Sequence, residues 1–146
     1  MGRTTGSATL NAGTKKVWEF ITNPRNFPEY VNGYADGTVL TENSTGLGSA
    51  FEWYGELGPI RLKSKEEVVE WNENERVAYT GTMFGVKFDS SMTLQKAESG
   101  KTSLTVDVKY KVPFIMGGRI MDKLLLKWIT RDYVDRSLEK LEEIFG

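Results

Sequence analysis

The sequence predicts an α+β fold in which a seven-stranded antiparallel sheet wraps around one long C-terminal helix. Two observations support this prediction. Between Tyr34 and Val112 the apolar residues recur mainly with a period of two, which is typical of strands. Residues 117–146 instead show helical spacing without a proline, with an apolar row at Ile120, Leu124, Trp128, Val134, Leu138, Leu141 and Phe145. A helix of this length cannot bury such a stripe alone. A curved sheet would supply the surface that faces the stripe.

The N-terminal part begins with a short polar strand and two short helices. Residues 3–11 are rich in threonine, and we expect them to form an edge strand. Thr14 is predicted to cap a helix that stops before Pro24, because the residue preceding a proline disfavours helical geometry. Residues 25–31 should form a second short helix, kinked at Pro28. Both helices would contact one end of the terminal helix.

Six further strands are predicted before the terminal helix, joined by short connections that favour an antiparallel meander. A hairpin with its tip at residues 58–59 places Glu56 opposite Arg61. The same register places Glu52 opposite Lys65, and both pairs join opposite charges. The predicted strands span residues 34–42, 47–57, 60–71, 75–83, 86–97 and 101–112.

Three local signals refine the sheet. A second hairpin is expected at residues 84–85, where a glycine ends an alternating segment. Gly100 is placed to adopt the left-handed conformation of a bulged turn. Residues 68–71 break the alternation, which indicates a β-bulge at this point.

Composition bounds the function. A chain of 146 residues favours one domain spanning 1–146. Its net charge of −1 argues against nucleic acid as a partner, since phosphate binding needs a cationic excess. The chain has no histidine and no cysteine, which excludes Ser-His and Cys-His nucleophiles and the usual zinc ligand sets. The sequence shows neither a phosphate-binding loop nor a set of metal ligands, so we expect neither a metal nor another cofactor.

The sequence gives no sign of a membrane span or a secretion signal. No apolar run approaches the roughly 18 residues that span a bilayer. The first residues, Met1 to Gly6, lack the apolar core of a signal peptide. We therefore expect a soluble cytoplasmic protein.

Small or polar residues at four inward positions of the predicted sheet favour a cavity between the sheet and the terminal helix. A sheet closed tightly on a helix would carry large apolar groups at such positions. The ring of Trp128, Trp53 or Tyr79 could instead fill the space, or the glycines could mark strand bends. The four positions are Gly55, Ser64, Gly81 and Ser90.

The connections at the two ends of the meander differ in polarity. Those at one end are apolar, which indicates either a cavity mouth, a contact surface or a closed lid. Arg119, Lys123 and Lys127 lie in the first half of the helix, where the helix dipole disfavours cations. They would suit an anionic ligand or membrane surface, although ordinary surface scatter explains them as well. The predicted mouth residues are Leu57, Phe84, Phe114, Ile115 and Met116.

A candidate site follows from the inward positions. Glu66, Tyr79 and Arg131 are the candidates for acid–base chemistry in the absence of histidine. Burial would raise the pKa of Glu66, and Arg131 would lower it again. The two could also form a structural ion pair, or Arg131 could lie at the edge or bind a ligand carboxylate or phosphate. The predicted ligand-binding residues are Trp53, Leu62, Ser64, Tyr79, Phe88, Ser90, Tyr110, Leu124, Trp128 and Arg131.

The order of elements and several local segments resemble a known superfamily. These segments are Val-Trp-Glu-Phe-Ile at 17–21 followed by Asn-Pro, Gly-Leu-Gly-Ser at 46–49 before a strand, and Gly-Lys-Thr at 100–102. The chain resembles the polyketide cyclase/dehydrase and lipid-transport superfamily, also called START-like, Bet v 1-like or SRPBCC. The resemblance covers nearly the whole chain. It implies a helix-grip fold, a deep apolar cavity between sheet and helix, and a small hydrophobic ligand.

Three functions remain open at this point. The first is a non-catalytic carrier or sensor of a lipid-like or polyaromatic ligand, which we favour over catalysis. The second is a cyclase- or dehydratase-type enzyme that uses Glu66 and tyrosine hydroxyls. The third is an interaction module whose apolar end docks transiently on a protein or a membrane.

Overall fold

The computed structural model describes residues 2–57, 59–83, 85–111 and 119–146. For Leu57, Ile60 and residues 119–125 it describes the backbone only. The chain begins with strand β1 (Gly2–Leu10), helix α1 (Thr14–Thr22), a 3₁₀ turn (Pro24–Asn26) and helix α2 (Phe27–Tyr30). Six strands and helix α3 (Arg119–Ile144) follow. The six strands are β2 (Tyr34–Val39), β3 (Ala50–Leu57), β4 (Ile60–Asn72), β5 (Arg76–Met83), β6 (Val86–Lys96) and β7 (Thr102–Lys111).

The seven strands form one antiparallel sheet, which confirms the predicted α+β architecture. Their order across the sheet is β1-β7-β6-β5-β4-β3-β2, so β2 to β7 form the predicted meander. β1 pairs with β7 and lies at one edge of the sheet, as its polar sequence predicts.

The register agrees with the charge pairs and turn signals of the sequence. Glu56 lies opposite Arg61 and Glu52 opposite Lys65, although the ion pair that Glu52 makes is with Lys63, at 3.3 Å. The predicted bulge is present where the β4–β5 register shifts after Val68. A second 3₁₀ turn, Glu98–Gly100, precedes β7, and Gly100 has a positive φ of 74°, also as expected.

Two expectations for the short helices are wrong. Thr14 does not cap α1, because Gly13 occupies the N-cap position and no side-chain hydrogen bond caps the helix. Residues 25–31 do not form one kinked helix but a 3₁₀ turn followed by α2. The Asn23 side chain accepts a hydrogen bond from the Arg25 amide at 3.1 Å and starts the 3₁₀ turn. Pro28 then lies in the first turn of α2, where its missing N–H costs nothing, so it begins a helix instead of bending one.

The C-terminal half of α3 packs closely on β1. The hydroxyls of Thr4 and Thr130 are 2.9 Å apart. A Cβ atom on Gly6 would lie 2.7 Å from a methyl group of Val134 and 2.9 Å from one of Leu138, so only glycine permits this approach. The helix therefore lies against the edge strand of the sheet at this point.

Trp128 does not belong to the buried row of α3, in contrast to the expectation. Its side chain is 67% exposed. The predicted row stepped from Trp128 to Val134, and six residues rotate a helix by roughly 240°, away from the buried face. The buried row passes instead through Thr130, whose hydroxyl meets β1. The side chain of Leu124, another expected member, lies outside the described residues.

The short helices contact the end of α3, as expected. Phe20 of α1 lies edge-on against Phe145, with ring centroids 5.3 Å apart. The backbone amide of Asn32, just after α2, donates a hydrogen bond to the Ser137 hydroxyl at 3.1 Å. These contacts hold the C-terminal part of α3 over the sheet and enclose the space described next.

Candidate functional site

A pocket lies between the concave face of the sheet, α2 and the C-terminal half of α3. Its volume is about 50 Å³. Strands β2 to β7 contribute to its walls, because residues on this face alternate with residues that face outward. The aromatic wall residues are Phe27, Tyr30, Tyr34, Trp53, Tyr79 and Tyr133. The polar ones are Glu66, Ser90, Ser91 and Ser137.

Glu66 is the acidic group of this pocket. It lies on β4 opposite Gly81 of β5, and its side chain is only partly accessible. A Cβ atom on Gly81 would clash with the backbone carbonyl oxygen of Lys65 and lie 2.9 Å from the Cβ atom of Glu66, so only glycine permits this close approach of β5 to β4. Burial raises the pKa of Glu66 to about 7, while a hydrogen bond from Trp53 acts in the opposite direction. No salt bridge in the described part of the chain includes Glu66.

Tyrosine side chains line the same pocket as this carboxyl. Burial, followed by the nearby Glu66 charge, raises the pKa of Tyr79 and of Tyr133 far above the ordinary value. Burial also raises the pKa of Tyr30, whose hydroxyl donates to the Ile21 carbonyl at 2.6 Å. The tyrosines therefore remain neutral at any physiological pH, whereas Glu66 changes its charge near neutrality. The site can donate hydrogen bonds and hold or release one proton.

Arg131 does not reach Glu66, in contrast to the hypothesis of a buried pair. Its guanidinium donates to the Thr5 carbonyl at 3.0 Å and lies 3.4 Å from Asp135. Its side chain is about half exposed, on the flank of α3 that lies beside β1. Arg131 therefore lies at the edge, which is one of the positions that the sequence left open. Arg131 therefore supplies neither an acid–base partner nor an anchor within the described pocket.

The other predicted site residues divide into two groups. Trp53, Tyr79 and Ser90 line the pocket together with Glu66. Of the remaining ones, those whose side chains the structure describes do not line this pocket. Leu62 and Phe88 are half-buried near the hairpin tips, Ser64 is fully buried, Tyr110 packs on Gly2, and Trp128 is exposed. Of the predicted mouth residues, Phe84, Phe114, Ile115, Met116 and the side chain of Leu57 lie outside the described residues.

The sequence analysis did not predict several pocket residues, including Tyr30, Tyr34 and Ser137. For the pocket residues on α3, the sequence spacing was an available signal. Tyr133, Ser137 and Leu141 are spaced by four residues, so they share one face of α3. Tyr30 and Tyr34 belong to a short helix and an edge strand, and their convergence depends on how these elements pack in three dimensions.

A family model described as polyketide cyclase / dehydrase and lipid transport matches residues 1–146. The chain belongs to this family. No curated protein matches it significantly by sequence. The family match agrees with the fold described above.

Solved structures show the same fold at low sequence identity. A START superfamily protein from Mycobacterium smegmatis is 12% identical, with a TM-score of 0.80 and coverage of 98% of this chain and 96% of that chain. A conserved protein from Geobacillus kaustophilus is 14% identical, with a TM-score of 0.79 and coverage of 99% and 95%. Ara h 8.0201 is 10% identical, with a TM-score of 0.73 and coverage of 99% and 97%. These likenesses establish the helix-grip fold.

The described pocket of this family member is smaller than the deep cavity that the resemblance implied. A volume of about 50 Å³ holds only a few water molecules or a group of similar size. The space at two of the small residues is already occupied. A Cβ atom on Gly55 would lie 3.2 Å from the Trp53 ring, and one on Gly81 would meet the backbone of β4 at Lys65 and Glu66. The alternative in which a large ring fills the gap is thus correct at Gly55.

A second depression lies on the other side of one pocket wall. It is a surface groove of about 320 Å³ between residues 24–28 and the edge formed by β2 and β3. Phe27, Tyr34 and Trp53 line both the groove and the pocket. The Tyr34 and Trp53 rings are stacked, with centroids 5.5 Å apart and planes at 18°. These three aromatic side chains, which we call the aromatic partition, separate the two spaces.

The described part of the chain contains neither a membrane-spanning helix nor an acidic metal site. None of the helices in the described part of the chain has the length and apolar character that crossing a bilayer requires. The described residues also contain no group of three or more acidic side chains arranged to hold a metal ion.

Proposed function

We propose that this protein binds a small ligand with an apolar body in the pocket between sheet and α3, and that Glu66 orients the ligand. The observation that carries the proposal is a carboxyl group enclosed by aromatic side chains. Such a group weakens the fold when it ionises, and perturbed carboxyls of this kind cluster at functional sites. Apolar walls with a few polar anchors are also the usual composition of small-molecule sites. Membership of the lipid-transport family supports the same function.

The pocket in the ligand-free structure is smaller than a typical small-molecule site. Small-molecule sites usually have volumes of roughly 300–1,000 Å³. The groove beyond the aromatic partition has about 320 Å³, so displacement of Phe27, Tyr34 and Trp53 would join a second space to the pocket. We propose that the ligand enters in this way and occupies both spaces.

Filling the pocket should abolish ligand retention. Ser90→Leu places a larger apolar side chain in the pocket wall, whereas Ser103→Leu makes the same change on the outer face of β7. We expect native mass spectrometry of the protein purified from its own host to detect a bound small molecule in the wild type and in Ser103→Leu. The bound fraction should fall by about tenfold or more in Ser90→Leu, because an occupied pocket cannot admit the ligand.

The circular dichroism spectra of both variants serve as the folding control. An empty wild-type protein, or equal retention by Ser90→Leu and wild type, would contradict the proposed function. Retention that is lost in both variants would place the ligand on the outer face of the sheet, which also contradicts it.

Cyclase- or dehydratase-type catalysis is a second candidate, favoured by one observation. Because the pKa of Glu66 is about 7, this carboxyl suits proton transfer at neutral pH. The Tyr79 hydroxyl lines the same pocket and stays protonated, so it could donate a hydrogen bond to a developing oxyanion. This candidate requires a substrate turnover that Glu66→Gln abolishes and that the outward-facing Glu67→Gln leaves unchanged.

A further inference from the structure

We infer that the ligand carries a positively charged, hydrogen-bond-donating head, most simply the ammonium group of an amine, which binds beside Glu66. This inference names the ligand class for the same pocket, and it therefore rests on the proposed function. Three features of the pocket carry it: the sign of its charge, the nature of its walls and the size of its inner space.

The charge of the pocket has one sign. Glu66 is acidic, and the described walls contain no lysine or arginine. An ionised carboxylate in such a place lacks the partner that buried charges normally have. An anionic ligand would meet repulsion from Glu66, and a purely apolar one would remove its remaining water without replacement. A cationic head supplies the missing positive charge, and it donates a charge-assisted hydrogen bond in addition to the one from Trp53.

The walls of the pocket also suit a cation. Aromatic side chains come from several sides, among them Tyr30 of α2, Trp53 of β3, Tyr79 of β5 and Tyr133 of α3. The faces of aromatic rings attract cations, and this attraction strengthens where water is excluded. Serine and tyrosine oxygens in the same walls can accept hydrogen bonds from an ammonium group.

The inner space limits the size of the head. About 50 Å³ accommodates an ammonium group and one or two carbon atoms, but not a larger body. The body would pass the aromatic partition and lie in the groove of about 320 Å³. The preferred ligand is therefore a primary amine with a compact head and an apolar body.

Benzylamine and benzyl alcohol form a matched probe pair, because they share one body and differ in the charge of the head. At about pH 8 benzylamine is protonated and Glu66 is ionised. We expect saturation-transfer NMR and calorimetry to show that benzylamine binds about tenfold or more tightly than benzyl alcohol, because a hydrogen bond between charged groups is involved. Glu66→Gln should remove this preference, and Glu67→Gln, on the outer face of β4, should retain it.

The preference should also depend on pH. The titratable groups that interact with Glu66 in the described structure are Tyr30 on α2, Tyr34 on β2, Tyr79 on β5 and Tyr133 on α3. All four remain neutral from about pH 5 to about pH 8. Protonation of Glu66 should therefore weaken benzylamine binding when the pH falls from about 8 to about 5, while benzyl alcohol binding stays constant.

Each outcome of the binding experiments either supports or overturns the inference of a cationic head. Equal binding of both compounds overturns it, as does a preference for benzylamine that persists in Glu66→Gln. Failure of benzylamine to bind overturns it too. The proposed function is judged separately by the molecule that copurifies with the wild type, so a bound neutral or anionic molecule would support binding and contradict the cationic head.

Discussion

Replacing Glu66 with glutamine should raise the free energy of unfolding by about 3 kcal/mol at about pH 8. The pKa of Glu66 is raised from 4.5 to about 7 in the folded protein, mainly because burial disfavours the charged form. Each pKa unit corresponds to about 1.4 kcal/mol of differential stability. The stability that Glu66 contributes is fully present below about pH 4.5 and is lost as the pH rises to about 7. Glutamine has no such loss.

Urea denaturation at about pH 5 and about pH 8 measures this effect. Wild type and Glu66→Gln should differ little at the lower pH, where the carboxyl is largely protonated, and diverge at the higher pH. Glu67→Gln is the matched control, since this neighbour on β4 points to the exposed face. A Glu66→Gln variant that is less stable than wild type at about pH 8 would show that the carboxylate has a stabilising partner.

Leu141→Ala should be strongly destabilising, with a loss of about 2–5 kcal/mol in the free energy of unfolding. Leu141 is 1% exposed and belongs both to the core and to the pocket wall. Truncation removes buried methyl groups and leaves a void beside the pocket. The same variant should admit larger ligands, because the void adds to the inner space.

Ile144→Ala serves as the control for this experiment. Ile144 lies one turn further along α3 and is 42% exposed, so its truncation should cost less than about 1 kcal/mol. Equilibrium urea denaturation of both variants at one pH gives the comparison. Equal losses for the two variants would contradict the packing of α3 on the sheet that is described above.

The sheet was predictable because the patterns that define its strands and hairpins lie within short segments of the sequence. A period of two sorts each strand into an inward and an outward face, and the opposite charges of Glu56 and Arg61 establish the register of one hairpin. The bulge after Val68 was visible as a break in the alternation. The capping of α1 was not predictable in this way, since glycine and threonine both suit a helix start.

The residues of the candidate site that were predicted lie on strands, whereas those on the helices were not predicted. Glu66, Tyr79 and Ser90 follow from the alternation and all line the pocket. Trp128 and Arg131 were misplaced, because composition alone does not determine the rotation of a long helix about its axis. Contacts with β1, through Thr130 and Gly6, determine that rotation. β1 lies far from α3 in the sequence, so no local sequence pattern indicates these contacts.

We propose that Glu66 lies in an enclosed ligand-binding pocket that shields its carboxyl from water. A ¹³C NMR titration that follows the carboxyl carbon of Glu66, assigned by comparison with Glu66→Gln, tests this proposal most directly. The account predicts a midpoint near pH 7 in the ligand-free protein. A midpoint near the ordinary value of 4.5 would mean that water reaches this carboxyl freely, and it would contradict the enclosed site.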